Sequence, residues 1–227
     1  MKFEENLTFL RSNGWLASLP DHLQKPFEQK LFFRKIERGD RPFSIGAEPG
    51  GMVGLADGCL ELEVFVGPRS PQPCYLLHSG HWVGEASLFR GNRLMGVRAK
   101  RSSIVAYLEL KALREIADQA PILWKHLFDL SQQHNLQILR IADSLMERDS
   151  RKRLALILLQ LAGCYDSFGG RPALIDFDQR TLGGIVNLSK GRLSPLLNQM
   201  QTDGLLSIER GAIRLTDVDQ LEAVAMS

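Results

Sequence analysis

Apolar residues between positions 178 and 200 recur at the spacing of two short helices. They form two groups, Leu182, Ile185 and Val186, and then Leu193, Leu196, Leu197 and Met200. Each group steps by three or four residues, which places its members on one face of a helix. Between the groups, Asn187 suits the left-handed residue that ends a helix, and Ser189 is a good N-cap. The pattern predicts a helix-turn-helix with a turn of about three residues.

A hairpin is predicted directly after the second helix. Leu206 and Ile208 alternate with polar residues before the turn 209–211, and Ile213 and Leu215 do so after it. Alternation on both sides of a glycine turn is typical of two antiparallel strands. Together these elements predict a winged helix-turn-helix, in which the small residues Gly183 and Gly184 let the second helix cross closely. In such a fold the second helix enters the major groove of DNA.

Pro195 leaves two starts open for this second helix. If Ser189 is the cap, Pro195 lies inside the helix, where a proline costs about 3 kcal/mol and Gly191 can soften the clash. If Ser194 is the cap, Pro195 is the first helical residue, which is a favourable position. The second alternative moves the groove-facing residues toward Asn198 and Gln199.

The rest of the chain predicts an N-terminal helical segment, a β region and a long helix. Residues 3–30 look helical, with leucines and Trp15 as packing residues. Five short apolar runs follow, at 31–36, 51–55, 59–66, 74–77 and 104–110. Glycine and aspartate turns separate them, which favours a β-roll or jelly roll. We therefore predict an α+β protein.

Residues 121–147 predict a central helix of about 25 residues, which is longer than the average helix. Its expected apolar seam consists of Leu127, Leu130, His134, Ile138, Ile141 and Leu145. A long helix with a narrow seam is commonly a dimerisation element, and we interpret His134 as a polar spacer within it. Residues 147–150 are expected to form a hinge, with Asp149 and Ser150 capping the next helix.

Composition narrows the function classes. The net charge of +2 does not by itself indicate nucleic acid, and residues 147–227 balance ten basic against ten acidic side chains. No apolar run is long enough to span a membrane, and the acidic N-terminus is unlike a signal peptide. Three scattered cysteines favour reduced thiols. We expect a cytoplasmic protein without membrane association.

The order of these parts resembles the Crp/Fnr family of bacterial transcription regulators. The resemblance is most specific from Asp149 to Leu206, where Asp-Ser-Arg-Lys-Arg-Leu-Ala and Arg-Thr-Leu-Gly-Gly-Ile-Val-Asn-Leu-Ser-Lys follow the family pattern. A second match, residues 84–89 followed by Arg93 and residues 97–99, is similar to the family's phosphate-binding cassette. The resemblance implies effector contacts from Gly84, Glu85 and Arg93, with a cyclic nucleotide or another small anion as effector.

The cassette also departs from the family pattern. Leu94 stands where cyclic AMP sites have a serine, and Ile138 and Leu139 replace the polar pair that recognises adenine. These losses argue against tight cyclic AMP binding. The alternative is that Glu85 and Arg93 pair with each other or cap a turn. Gly191 and Pro195 replace residues with which the family's catabolite activator reads its operator, so that operator cannot be transferred.

Two other functions remain open. His78 and His81, near Cys59 and Cys74, would suit a haem or redox sensor of the same fold, although no third ligand is spaced for a metal. The second open function is that of a module that binds an effector but not DNA. No arrangement of nucleophile, base and acid indicates an enzyme; Ser189 lacks the Gly-x-Ser-x-Gly setting.

We therefore predict a homodimeric regulator that binds double-stranded promoter DNA and contacts RNA polymerase. The expected domains are 1–120 (effector), 121–147 (dimerisation) and 148–227 (DNA binding). Lys190, Arg192 and Arg180 are predicted to place the reading helix and contact bases or phosphates. Phosphate contacts are predicted for Gln179, Ser189, Arg151 and Arg210.

Overall fold

The computed structural model describes residues 3–65, 71–88, 91–166 and 174–227. The chain divides into two compact units. Described residues 3–134 form the first unit, and residues 135–166 and 174–227 form the second. No helix in these ranges combines the length and the apolar character that a membrane span needs.

The first unit begins with three helices, α1 (Phe3–Ser12), α2 (Gly14–Ser18) and α3 (Asp21–Lys30). Seven strands follow: β1 (Phe32–Ile36), β2 (Met52–Asp57), β3 (Leu60–Val64), β4 (Gln72–Leu77), β5 (Trp82–Val83), β6 (Met95–Ala99) and β7 (Ser103–Leu108). They build two antiparallel sheets, ordered β1-β7-β2-β5 and β4-β3-β6. A short 3-10 helix, Glu85–Leu88, lies between β5 and β6.

The core of the first unit joins its helices to the four-stranded sheet. Trp15 packs on Trp82 with ring centroids 5.9 Å apart, and its indole Nε1 donates to the His126 carbonyl at 3.2 Å. Leucines of the later helices α4 (Leu110–Gln119) and α5 (Leu123–Met146) complete this core, including Leu127 and Leu130. The N-terminal helices thus cover an apolar sheet face that would otherwise contact water.

The second unit contains the C-terminal elements. They are α6 (Ser150–Leu161), β8 (Leu174–Ile175), α7 (Gln179–Ile185), α8 (Lys190–Thr202), β9 (Leu206–Glu209), β10 (Ala212–Leu215) and α9 (Val218–Met226). The three strands form an antiparallel sheet in the order β8-β10-β9. Asp149 caps α6 by accepting from the backbone N–H groups of Arg151 and Lys152.

The structure confirms the predicted fold class and most of its elements. The sheets of the first unit, the 24-residue α5 and the winged helix-turn-helix all match expectation. Strands β5 and β6 and helix α4 were not predicted, because β5 is only two residues long and β6 falls in the cassette region. The first described residue of the chain is Phe3, and Phe89 of the predicted cassette lies outside the described residues.

The expected seam of α5 is wrong as a single face. Leu127 and Leu130 are buried in the core of their own unit, whereas Ile138 and Leu145 are exposed. A different stripe of α5 is exposed along its length. It consists of Phe128, Gln132, Asn135, Leu139, Ala142 and Met146. This stripe steps by four and three residues, which is the spacing of a coiled-coil seam.

Candidate functional site

The turn between α7 and α8 has the geometry that the sequence predicts. Asn187 has a φ of 54°, the left-handed conformation expected there, and the Leu188 N–H donates to the Gly183 carbonyl at 2.9 Å. A Cβ on Gly183 would lie 2.9 Å from the Leu188 carbonyl oxygen, but one on Gly184 would meet no atom of the described residues within 4 Å. Close approach of the turn therefore requires Gly183, and the same expectation for Gly184 is wrong.

Arg153 holds this turn, a role that sequence reasoning missed. Its Nε donates to the Val186 carbonyl at 3.1 Å, and its Nη1 donates to the Glu147 carbonyl at 2.7 Å. The side chain thereby ties α6 and the segment before it to the end of α7. The Asp-Ser-Arg-Lys-Arg motif was a signal for Arg153, but nothing local identifies the Val186 carbonyl, 33 positions away, as its partner.

Helix α8 begins at Lys190, with Ser189 in the N-cap position. The alternative start at Ser194 is wrong, and Pro195 lies inside the helix. Pro195 falls in the second turn, where it removes one hydrogen bond and its ring meets the carbonyl of Gly191. Gly191 is exposed and has no side chain, so its backbone can shift to relieve this clash. The Ser189 hydroxyl makes no cap hydrogen bond with the described residues, contrary to expectation.

The first turn of α8 presents two cations to solvent. Lys190 and Arg192 are exposed, as is Ser189 beside them. Their position is set from behind by Leu193 and Leu197, which are fully buried in the second unit. The arrangement can offer hydrogen-bond donors and positive charge to an anionic surface, which is the requirement for contact with DNA.

The other predicted DNA contacts have different surroundings. Arg180 is exposed on α7, and Arg210 is exposed in the β9–β10 turn beside Gly211, whose φ is 80°. Gln179 is half-buried and its Oε1 accepts from the Ser194 hydroxyl at 3.1 Å, so it connects α7 to α8. Arg151 forms an ion pair with Asp203, Nη2 to Oδ2 2.7 Å.

The predicted cassette surrounds Glu85, which is 7% exposed. Gly84 precedes it with a φ of 105°, and a Cβ there would lie 2.5 Å from the Gly51 carbonyl oxygen. The Glu85 carboxylate oxygen Oε1 lies 3.0 Å from Nδ1 of His134 on α5. Burial alone raises the pKa of Glu85, but the hydrogen bond and charge of His134, with the backbone of residues 84 and 85, bring it below its ordinary value.

His134 is therefore not the spacer in a dimer seam that the sequence suggested. It turns toward its own unit and binds the cassette carboxylate. The signal for this was a polar, titratable side chain on an otherwise apolar helix face. Periodicity shows that such a residue is unusual, but it does not show which group is opposite it.

Arg93 lies half-buried at the same loop. Its Nη2 donates to the Gly51 carbonyl at 2.8 Å, and its guanidinium carbon lies 3.8 Å from the ring centroid of Phe43. The buried Nε has no hydrogen-bond partner among the described residues. Burial lowers the pKa of Arg93, and the Glu85 carboxylate raises it in part. The site thus contains a desolvated cation with a spare donor, which suits a small anion.

The thiols and histidines of the β region do not assemble a metal site. Within the described ranges, no group of three His, Cys, Asp or Glu side chains is placed to hold a metal ion. His81 Nδ1 lies 2.8 Å from both the N–H and the carbonyl of His78, so the two residues form a local turn. Burial raises the pKa of Cys74 to about 12, which keeps it a thiol rather than a reactive thiolate.

Comparison with known proteins agrees with this geometry. Residues 152–224 match the model of the Crp-like helix-turn-helix domain, which covers α7, α8 and the hairpin. Comparison with curated protein sequences finds no match.

Solved structures match over most of the chain at low identity. FixK2 from Bradyrhizobium japonicum is 13% identical with a TM-score of 0.70, covering 86% of this chain and 96% of that one. A putative cyclic nucleotide binding protein from Ruegeria pomeroyi is 16% identical with a TM-score of 0.68, covering both chains completely. The c-di-GMP responsive regulator CLP from Xanthomonas campestris is 19% identical with a TM-score of 0.63, covering 87% and 100%. At such identities these likenesses establish the fold.

The domain match and the full-length fold agree with the exposed cationic turn of α8. Residues 152–224 form a Crp-like helix-turn-helix domain, and they follow a β-roll that the solved structures share. The chain is a DNA-binding transcription regulator with a Crp-like helix-turn-helix domain, and its fold is similar to that of Crp/Fnr-type regulators over most of its length.

Proposed function

We propose that this regulator acts as a homodimer that places two α8 helices into the major groove of promoter DNA. The observation that carries the proposal is the exposed stripe of α5, on which Phe128 is 61%, Leu139 64% and Met146 80% exposed. Apolar side chains at heptad spacing are stabilised by packing against a second copy of the helix. A two-fold dimer would present its reading helices to half-sites one turn of DNA apart.

The proposed domains follow from this arrangement. Residues 1–120 would bind the effector, residues 121–147 would form the dimer and residues 148–227 would bind DNA. The roles of the exposed side chains divide by chemistry. Lys190 and Arg192 would reach base edges, with Arg180 beside them. Phosphate contacts would come from Ser189, Gln179, Arg210 and Arg151. Arg151 would contact a phosphate in place of its ion-pair partner Asp203.

The proposed effector is a small anion at Arg93. The spare Nε donor supports an anionic group at this loop. The Ruegeria and Xanthomonas proteins are described as cyclic-nucleotide-binding and c-di-GMP responsive, which supports a related effector class. A cyclic AMP molecule fits this chain less well, since Glu85 already binds His134 and the apolar residues Ile138 and Leu139 stand where a polar pair would recognise adenine.

A regulator of this kind would change the activity of RNA polymerase at the promoter, and would do so in the cytoplasm. An effector would act by favouring one of two dimer populations that differ in DNA affinity.

A redox sensor is a weaker candidate, because the burial that raises the pKa of Cys74 disfavours the thiolate on which thiol sensing depends.

Selection of genomic DNA fragments by the purified protein tests the proposal. We expect an enriched site with two inverted half-sites, and an affinity that falls steeply as salt rises. Arg192→Ala should lose about 1 to 3 kcal/mol at one base pair of each half-site, since an arginine can bind a guanine through two hydrogen bonds. Arg210→Ala serves as the comparison, because loss of a phosphate contact weakens binding to all sequences about equally.

The outcomes separate the alternatives. No enrichment at any salt concentration would favour an effector-binding module without DNA binding. Equal loss on all sequences for Arg192→Ala would reject base reading by this side chain. The selection repeated with cyclic AMP, and with an Arg93→Ala variant, shows whether an anion at the roll controls binding.

A further inference from the structure

Helix α8 has one exposed stripe opposite its buried face. Leu193, Leu197 and Met200 are fully buried against the rest of the second unit. Gly191, Pro195, Asn198 and Thr202 are all exposed and follow at i, i+4, i+7 and i+11. At about 100° per residue these four positions fall on one line along the helix, pointing away from the domain. This line, the α8 stripe, is therefore the part of the helix nearest to whatever the helix docks against.

Two polar side chains on one flank of the stripe, those of Ser194 and Gln201, are already engaged. The Ser194 hydroxyl donates to Gln179 Oε1 at 3.1 Å, and Gln201 Oε1 accepts from the Ile208 N–H at 2.8 Å. Both bonds hold neighbouring elements against α8. On the other flank Arg192 and Gln199 are exposed. Beyond Lys190 in the first turn, hydrogen bonds to bases are therefore expected from the Arg192 flank and from the stripe itself.

The first two positions of the stripe cannot form hydrogen bonds through their side chains. Gly191 has no side chain, and within the part of the chain that the structure describes a Cβ there would meet no atom within 4 Å, so the backbone is open to close approach. Pro195 presents an exposed, purely apolar ring. Among the groups on base edges in the major groove, the thymine 5-methyl is the apolar one.

Asn198 follows Pro195 by one turn on the stripe and is exposed. The Thr202 hydroxyl donates to the backbone carbonyl of Asn198 at 3.0 Å, so this bond does not involve the side-chain amide of Asn198. An asparagine amide matches adenine, because it can accept from N6 and donate to N7. Pro195 and Asn198 together present a methyl contact and an adenine contact along one line.

We propose that the α8 stripe reads A·T base pairs, with Pro195 packed on a thymine 5-methyl group and Asn198 hydrogen-bonded to an adenine. The inference rests on the proposed docking of α8 in the major groove. It makes Pro195 a specificity-determining residue, although it carries no polar group. It also accounts for a helix that keeps a proline beyond its first turn.

The experiment uses the site enriched in the selection described above, with single thymines replaced by uracil. Uracil lacks only the 5-methyl group, so the change removes one apolar contact. For the wild-type protein, one thymine in each half-site should lose about fourfold in affinity on replacement, as expected for one buried methyl. In Pro195→Gly the same replacement should have no effect. This variant should fold, since glycine is less unfavourable than proline inside a helix, and circular dichroism checks it.

Asn198→Ala and Thr202→Ala complete the test. Asn198→Ala should remove the preference for adenine at one position, and repeated selection should show any base there. Thr202→Ala, on the same stripe but at the far end of α8, should select the wild-type site. If uracil is tolerated at every thymine, or if Pro195→Gly keeps the wild-type sensitivity, the inference is overturned although the regulator still binds its site. If no site is enriched at all, the inference falls together with the proposed docking.

Discussion

At the scale of single residues, the contact between Glu85 and His134 is the most informative. It joins the cassette to α5 through one 3.0 Å hydrogen bond in a place where Glu85 is almost fully buried. A buried carboxylate that keeps its charge needs such partners, because its desolvation is otherwise unfavourable. The contact therefore gives the roll a link to the long helix within its own unit.

The lowered pKa of Glu85 leads to a prediction about stability and pH. A carboxyl group with a lower pKa in the folded than in the unfolded state stabilises the fold above its unfolded pKa. That contribution is lost as the pH falls through the folded pKa. Glu85→Gln should lower the free energy of unfolding by about 1.5 to 3 kcal/mol at pH 7, as for a hydrogen bond to a charged group. The difference from wild type should shrink as the pH approaches 3.

Urea unfolding between pH 7 and pH 3 measures this difference. Glu109→Gln is a suitable control, because Glu109 is exposed and forms no side-chain cap bond at the start of α4. A Glu85→Gln variant whose loss of stability is the same at every pH would contradict the electrostatic role of the carboxylate.

At the scale of elements, α7 shows how a glycine pair can have two separate roles. Gly183 is buried and faces the Leu188 carbonyl, whereas Gly184 is exposed with open space around it. The sequence presents them as equivalent neighbours. Their difference arises because adjacent helical positions point about 100° apart.

Alanine substitutions should therefore have opposite effects. Gly183→Ala should destabilise the second unit by about 1 to 3 kcal/mol, since the new methyl is forced against a backbone carbonyl. Gly184→Ala should stabilise it by up to about 1 kcal/mol through helix propensity. Thermal unfolding of both variants makes the comparison, and a loss of stability in Gly184→Ala would show that this side of α7 is also packed.

At the scale of the whole molecule, the exposed stripe of α5 is the strongest reason to expect a dimer. Most of this stripe is apolar, and exposed apolar side chains on a 24-residue helix are unfavourable in water. A second copy of the helix would cover them. Leu127 and Leu130 are on the opposite side, within the core of the first unit. The first part of α5 thus packs in the core of the first unit with one face, while the stripe on its other side is exposed.

Leu139→Glu should convert the dimer to a monomer. A two-fold interface contains each substitution twice, so the lost burial amounts to about 3 kcal/mol or more, or about a hundredfold in the dissociation constant. Sedimentation equilibrium measures this, and DNA affinity should fall with it. The exposed residue Asp129 provides the control, since Asp129→Lys changes a charge on α5 outside the stripe. An unchanged dimer in Leu139→Glu would place the interface elsewhere.

Elements whose signal is local were predictable here. Asn187 ends α7 because its short polar side chain tolerates the left-handed conformation. Gly211 turns the hairpin because a residue without a Cβ adopts a positive φ easily. The β-roll was predictable from its turns, but β5 was not, since two residues cannot establish an alternating pattern. Pro195 left the start of α8 undecided, because either position is compatible with its fixed φ.

Helix periods, caps and turns followed from the chain alone, because they depend on residues within about four positions of one another. The partners of the candidate site did not. Arg93 binds a carbonyl 42 positions away, Glu85 a histidine 49 positions away and Arg153 a carbonyl 33 positions away. The seam of α5 was predicted wrongly, because periodicity does not distinguish a face packed in its own unit from an exposed one. Contacts of this kind exist only once packing has brought distant segments together, since no local periodicity encodes which groups become neighbours.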